Sequence, residues 1–228
     1  MATFCAQCPS LKESFICDLS EKVRDEIRSK GVIIHYKKGQ DIIRQGMQTE
    51  GVFCIRKGYV KLLLENMYGE PLTIKLYANA GMVGIHALTS DSNVYTATCL
   101  SDCDVCFFPK DVIGEAAAKY SNLAKRLNQI SLDNFVQLSN VAVSLVSKSV
   151  PQRVAEALIS IQQIFGKDHQ GNIQQPITKE EIARMVGTSI ESVFRTLSDF
   201  RKKKYIYFEN RQIKILDEPR LRSLGRVA

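Results

Sequence analysis

The sequence predicts an α+β chain in three parts: an antiparallel β-roll of jelly-roll type, one long helix, and a C-terminal winged helix-turn-helix. The apolar period shortens from helical to strand-like at Val32 and lengthens again near Asp111. A narrow apolar stripe then follows alternating steps of three and four residues as far as Leu145. After Thr178 the order is helix, glycine turn, helix, strand, strand.

Residues 1–31 form an N-terminal cysteine-containing segment followed by a helix, LSEKVRDEIRSKG, with Ser20 as N-cap and Gly31 as its end. Leu19, Val23 and Ile27 recur at a helical step and mark its buried side. Residues 32–112 carry seven or eight short β-branched and aromatic runs separated by turn residues, the signature of a small antiparallel barrel or roll. Within them YVKLLLENMYGEPLTIKLY reads as a hairpin that turns around Asn66–Gly69. Residues 113–149 form the long helix, its helical period running from about Asp111. Its seam consists of Phe135, Leu138, Ala142 and Leu145, continued towards the N-terminus by the polar Asn128 and Ser131. Between two compact regions, such a stripe is explained more economically by self-association than by a monomer core.

Residues 150–228 form the last domain, opening with a helix that starts at Pro151. A polar loop, 166–176, precedes Thr178 and Glu181, which have capping-box spacing for a helix to about Met185. Gly187 supplies the turn. The second helix runs from about Ser189 to Lys202 and buries Val193, Leu197 and Phe200. YIYF–ENR–QIKIL then forms a two-stranded wing.

Composition bounds the function. Hydrophobic residues at 45% and charged residues at 24% exclude wholesale disorder. No apolar run reaches the ~18 residues of a membrane span, and MATFCAQCPSLKESF lacks the apolar core of a secretory signal, so a soluble cytoplasmic protein with no membrane partner is expected. The net charge of +7 is uneven: residues 150–228 hold 14 basic and nine acidic side chains, which points to a polyanion partner there. All seven cysteines precede residue 107, and their odd number and clustering argue for metal binding or reactivity rather than a disulfide framework.

Together these parts resemble the Crp/Fnr family of bacterial transcription regulators, in its Fnr-like branch with an N-terminal cysteine cluster. The resemblance rests on the spacing of Gly39, Gly46 and Gly58 in the β-roll and on EEIARMVGTSIESVFRTL in the DNA-reading unit. It implies a cyclic-nucleotide-binding-like sensor domain, a dimerisation helix, a homodimer on a palindromic promoter site in double-stranded DNA, and contact with RNA polymerase.

An exposed start of the second helix would reach base edges in the major groove. Glu191 can accept from a cytosine amine and Arg195, one turn on, can donate twice to a guanine. The resemblance places both at base-reading positions and implies a TGA-like core. Phe194 stands where the oxygen-sensing branch often has serine; it can pack against a thymine methyl. Thr188, Ser189, Lys179, Arg184 and the run Arg201–Lys204 can bind phosphate.

Cyclic AMP is disfavoured, because no Arg or Lys lies between Lys75 and Lys110 to neutralise its phosphate. Cys5-x-x-Cys8 can grip one metal or cluster, and Cys17 supplies a third thiol. The resemblance adds Cys106, in Val105-Cys106-Phe107-Phe108-Pro109, and implies a [4Fe–4S] cluster responsive to oxygen or nitric oxide. Cys103 is the alternative to Cys17, while Cys54 and Cys99 read as small core residues. Leu138 falls where the oxygen sensor has a buried acid, which implies a dimer that persists without its cluster. Haem on His35, His86 or an N-terminal residue, a thiol–disulfide switch at Cys5, Cys8 and Cys17, and a regulator without ligand remain open. An enzyme is not expected: a cupin-like metal triad is missing from residues 32–110, and no catalytic triad or phosphate loop is visible.

Overall fold

The computed structural model describes residues 14–48, 50–67, 69–174, 177–209 and 212–225. The chain divides into two compact units, residues 1–65 with 75–137, and residues 66–74 with 138–228.

Helix α1 (Glu21–Ser29) precedes the strands β1 (Val32–Tyr36), β2 (Asp41–Ile43), β3 (Gly51–Lys57), β4 (Val60–Glu65), β5 (Pro71–Tyr77), β6 (Met82–Val83), β7 (Thr96–Cys99) and β8 (Cys103–Pro109). They form two four-stranded sheets, ordered β1-β8-β3-β6 and β2-β7-β4-β5. Strand period alone predicts the runs; that consecutive strands, the β4–β5 hairpin excepted, fall in different sheets is what makes a roll. The predicted hairpin turns as expected, with Gly69 N–H donating to Asn66 O at 2.9 Å.

Ser20 occupies the N-cap of α1 but its side chain makes no capping bond. Gly31 is needed for a reason other than a left-handed cap. Its φ is not positive, and a Cβ there would lie 2.6 Å from the Phe108 ring. The segment expected as one helix from Asp111 divides at Tyr120, whose backbone is extended, into α2 (Lys110–Lys119) and α3 (Ser121–Ser147). The bend lets Ile113 and Ala116 of α2 and Leu123 and Leu127 of α3 enter one buried cluster with Val23, Ile27 and Phe108. Burial of an apolar side chain at ~1.5–3 kcal/mol outweighs the few hydrogen bonds a continuous helix would keep.

On β5, Lys75 donates to Asn134 Oδ1 of α3 at 2.6 Å, and Tyr77 donates to the same oxygen at 3.1 Å. Burial pulls the Lys75 ammonium down from the ordinary lysine range to about 8. A folded-state value below the unfolded one means that burial penalises the charged form, and the penalty is relieved as pH rises above about 8. Stability should therefore rise from pH 8 to 10 relative to the variant Lys75→Met, by ~1 kcal/mol after solvent screening. Parallel urea titrations at the two pH values measure it; a flat difference removes the assignment.

In the second unit, α4 (Val150–Phe165) begins with a capping box between Ser149 and Gln152 and buries Val154, Ala155, Leu158 and Ile161. Then come α5 (Lys179–Val186), α6 (Ile190–Lys202), and the antiparallel pair β9 (Ile206–Glu209) and β10 (Gln212–Ile215). A last helix, α7 (Glu218–Gly225), was not expected from the sequence; it packs against α4 and buries Leu221 completely. Its start was readable: Asp217 Oδ1 accepts from Arg220 N at 3.0 Å, with Pro219 in the first turn.

Candidate nucleic-acid interface and sensor core

The Thr178 hydroxyl caps α5 by accepting from Glu181 N at 3.2 Å. Gly187 ends α5 in the left-handed region, φ +59°, where a Cβ would also lie 2.8 Å from Leu145 Cδ2. Arg153 of α4 donates to Val186 O at 2.7 Å and to Lys148 O at 2.6 Å, placing a cation on the orphan carbonyl end of α5. The turn therefore has one allowed path, and α6 starts where that path puts it.

Helix α6 buries Val193, Thr196, Leu197 and Phe200 and leaves Glu191, Phe194 and Arg195 in solvent. Glu191 and Arg195 stand one turn apart, yet no ion pair joins them among the described residues. Arg195 Nη2 donates instead to Ser192 Oγ at 3.3 Å. Both charged heads thus remain available to an outside partner. The Glu191 carboxyl is held below the usual carboxylate range by its own backbone N–H, then by the Ser189 hydroxyl and by the Arg195 charge, so it is an acceptor at neutral pH.

The expected phosphate contacts divide. Ser189 Oγ accepts from Ser192 N at 3.3 Å as the cap of α6, and Arg184 lies 3.6 Å from Glu181. Thr188 is half-buried and donates its backbone N–H to Ala183 O. Lys203 is paired with Asp199 at 2.8 Å, whereas Arg201, Lys202 and Lys204 are exposed without an ion pair among the described residues. Lys179 faces the Phe194 ring, its Nζ 4.3 Å from the centroid, a contact that nothing in the spacing announced.

On α3, Asn128, Ser131, Phe135, Leu138 and Ala142 are exposed, while the chain itself half-covers Leu145. Four apolar residues outside the expected seam are also in solvent: Leu132, Val136, Val143 and Val146, at 59, 54, 62 and 90% exposure. Each stands one residue after a seam position, 131, 135, 142 or 145, and so widens the apolar stripe of LDNFVQLSNVAVSLV.

In the sensor core, Cys5 and Cys8 lie outside the described residues. Cys17 is partly exposed in the turn before α1, with burial and then Asp18 pushing its thiol up from the ordinary value. Its neighbours Phe15 and Ile16 enter the same apolar cluster as Cys106, Phe15 packing edge-on to Phe108 at 5.6 Å. Cys106 is opposite Cys54 in the β3–β8 ladder, and both belong to that cluster. Cys103 is three residues before Cys106 on β8 and so points to the other face of the sheet, into contact with Tyr59 O at 3.4 Å. Cys99 is buried, as expected. No group of three metal-ligating side chains occurs among the described residues. His35 is exposed and bonded to Asp104, and His86 bonds Asn93 through Nε2.

Within residues 81–99, the chain's own groups pair with one another. Gly84 N–H donates to the Tyr95 hydroxyl at 2.9 Å, and the Tyr95 ring meets His86 edge-on at 4.9 Å. Burial raises the Tyr95 phenol to about 12. No guanidinium or ammonium lies between Lys75 and Lys110 to meet a cyclic phosphate.

A β-roll, a long helix with an exposed apolar face and a winged helix-turn-helix that offers a carboxylate and a guanidinium to solvent define a DNA-binding regulator. Residues 33–120 match the cyclic nucleotide-binding domain family, and residues 152–224 match the Crp-like helix-turn-helix domain family. The chain belongs to the Crp/Fnr family of transcription regulators. It is 24% identical to the transcriptional activator protein Anr of Pseudomonas protegens over 88% of this chain and 82% of that one. It is likewise 24% identical to a CRP-like cAMP-activated global regulator of Mycobacterium tuberculosis, over 85% of this chain and 88% of that one. Its fold is similar to that of FixK2 from Bradyrhizobium japonicum, with TM-score 0.78 and 20% identity, covering 87% of this chain and 98% of that one. No helix among the described residues is long and apolar enough to cross a membrane.

Proposed function

We propose that this DNA-binding regulator is a homodimer that reads a palindromic promoter site through Glu191 and Arg195 and senses oxygen, redox state or nitric oxide through a thiolate-held iron–sulfur cluster. The observation that carries the DNA reading is the pair of charged heads on α6, exposed and joined by no ion pair among the described residues. Apolar residues on α3 from Leu132 to Val146 supply the self-complementary surface that a twofold interface needs. Contact with RNA polymerase belongs to the same reading.

For the sensor, four thiolates are the donor chemistry an iron–sulfur cluster takes. Cys17 and Cys106 fit such a group, since one apolar cluster holds Cys106 and both residues that precede Cys17. Cys5 and Cys8 complete the set. Bound there, the cluster would supply reactivity towards oxygen or nitric oxide. The Cys17 thiol, raised by burial, would be ionised by the metal. Cys103 is the weaker fourth ligand because it lies on the opposite sheet face from Cys106. The lack of a cation between Lys75 and Lys110 favours a signal other than a cyclic nucleotide.

Anaerobic purification with an absorption spectrum and iron and sulfide quantitation tests the sensor. Four irons and four sulfides per chain are expected for a [4Fe–4S] group. Cys106→Ser should lose the visible absorbance, whereas Cys103→Ser should keep it. No iron in the wild type would leave thiol chemistry or no ligand, and a sharp Soret band would indicate haem.

A further inference from the structure

Lys179 is the first residue of α5, at the positive end of a helix dipole, where an ammonium is disfavoured. No ion pair holds it there among the described residues. Two aromatic rings do: Nζ is 4.3 Å from the centroid of Phe194 on α6 and 5.5 Å from that of Phe208 on β9. One cation therefore joins the reading helix to the wing, and one face of the Phe194 ring is covered by it. Phe194 nevertheless remains 50% exposed, beside Arg195 and one turn after Glu191. A benzyl group has neither donor nor acceptor, and the apolar group on a major-groove base edge is the C5-methyl of thymine.

We infer that Lys179, Phe194 and Phe208 form one reading unit that presents Phe194 to a C5-methyl pyrimidine in each half-site, with Lys179 acting as a positioning residue rather than a phosphate contact. The inference rests on the DNA-binding reading above and names the base-edge group it selects. It changes the role expected for Lys179 from the sequence. An ammonium held over two rings keeps its charge, but without a direct phosphate contact it acts through the position of Phe194 and not through phosphate neutralisation.

The test begins with selection of binding sites from random duplexes by the full-length protein. Each thymine of the selected site is then replaced by 2′-deoxyuridine, which removes the methyl group alone. One thymine per half-site should weaken wild-type binding about fourfold, the worth of one buried methyl, and about sixteenfold for both half-sites. Phe194→Ser should abolish that difference at that position. Lys179→Met should shrink it without altering the slope of log affinity against log salt, and Lys179→Arg, which keeps the cation over the rings, should restore it. A phosphate contact would instead lower the slope by ~0.9 per half-site. Thermal melts check that each variant is folded, and if Lys179→Met is not, Phe194→Ser still decides. A flat uridine scan, a methyl effect that survives Phe194→Ser, or a slope lowered by Lys179→Met overturns the inference while leaving the regulator intact. Failure to select any sequence removes the regulator reading, and this inference with it.

Discussion

Replacing Arg195 by alanine should abolish sequence-specific DNA binding and leave the fold untouched. Its guanidinium is in solvent, bonded only to Ser192 Oγ at 3.3 Å among the described residues, so truncation creates no cavity. A bidentate contact to guanine discriminates by ~1–3 kcal/mol, and a dimer makes it twice. The loss is ~2–6 kcal/mol, a fall of two to four orders of magnitude towards the non-specific floor. Fluorescence anisotropy on the selected site and on a scrambled duplex, at one stated salt concentration, measures it. Binding of the scrambled duplex should fall far less, since Arg201, Lys202 and Lys204 remain exposed. Undiminished discrimination by Arg195→Ala would remove the assignment of α6 as the reading helix.

The second large effect concerns α3. Val136 and Val143 are 54 and 62% exposed, so glutamates there cost the isolated protomer little. In a twofold interface the same two carboxylates would meet their own symmetry mates in an apolar seam. Like charges juxtaposed there cost several kcal/mol, so a double Val136→Glu, Val143→Glu variant should sediment as a monomer where the wild type sediments as a dimer. Tight operator binding should disappear with the second half-site contact. A variant that stays dimeric would place the interface elsewhere. Leu138 should keep the wild type dimeric without its cluster, because no acid occupies that position to repel its mate; a monomeric cluster-free sample would contradict this.

Much of the reading unit was legible because local chemistry specifies it. Thr178 and Ser189 are N-caps by residue type, Gly187 takes a backbone conformation that few other residues tolerate, and Val193, Leu197 and Phe200 recur at helical steps. The two β-roll sheets were legible only as strands. Period-2 runs say which faces are apolar but not which strands pair, so the ladder that sets Cys54 opposite Cys106 could not be foreseen. The bend at Tyr120 was hidden for a similar reason: helical propensity continues through it, and a shared buried cluster decides against it. The exposed α3 face is wider than the expected seam, because Leu132, Val136, Val143 and Val146 each stand one residue after a seam position.

Amino-acid order by itself determined the family, the sequence of parts, the two charged side chains of α6 and the lack of a cation for a cyclic phosphate, because each depends on residue identity or short-range spacing. Tertiary structure alone decided that Gly84 N–H meets the Tyr95 hydroxyl, that Cys54 stands opposite Cys106, that α2 and α3 share one buried cluster with α1, and that Lys179 lies between Phe194 and Phe208. Those are relations between groups brought together by burial of apolar surface, a force that has no direction and therefore leaves no local pattern in the chain.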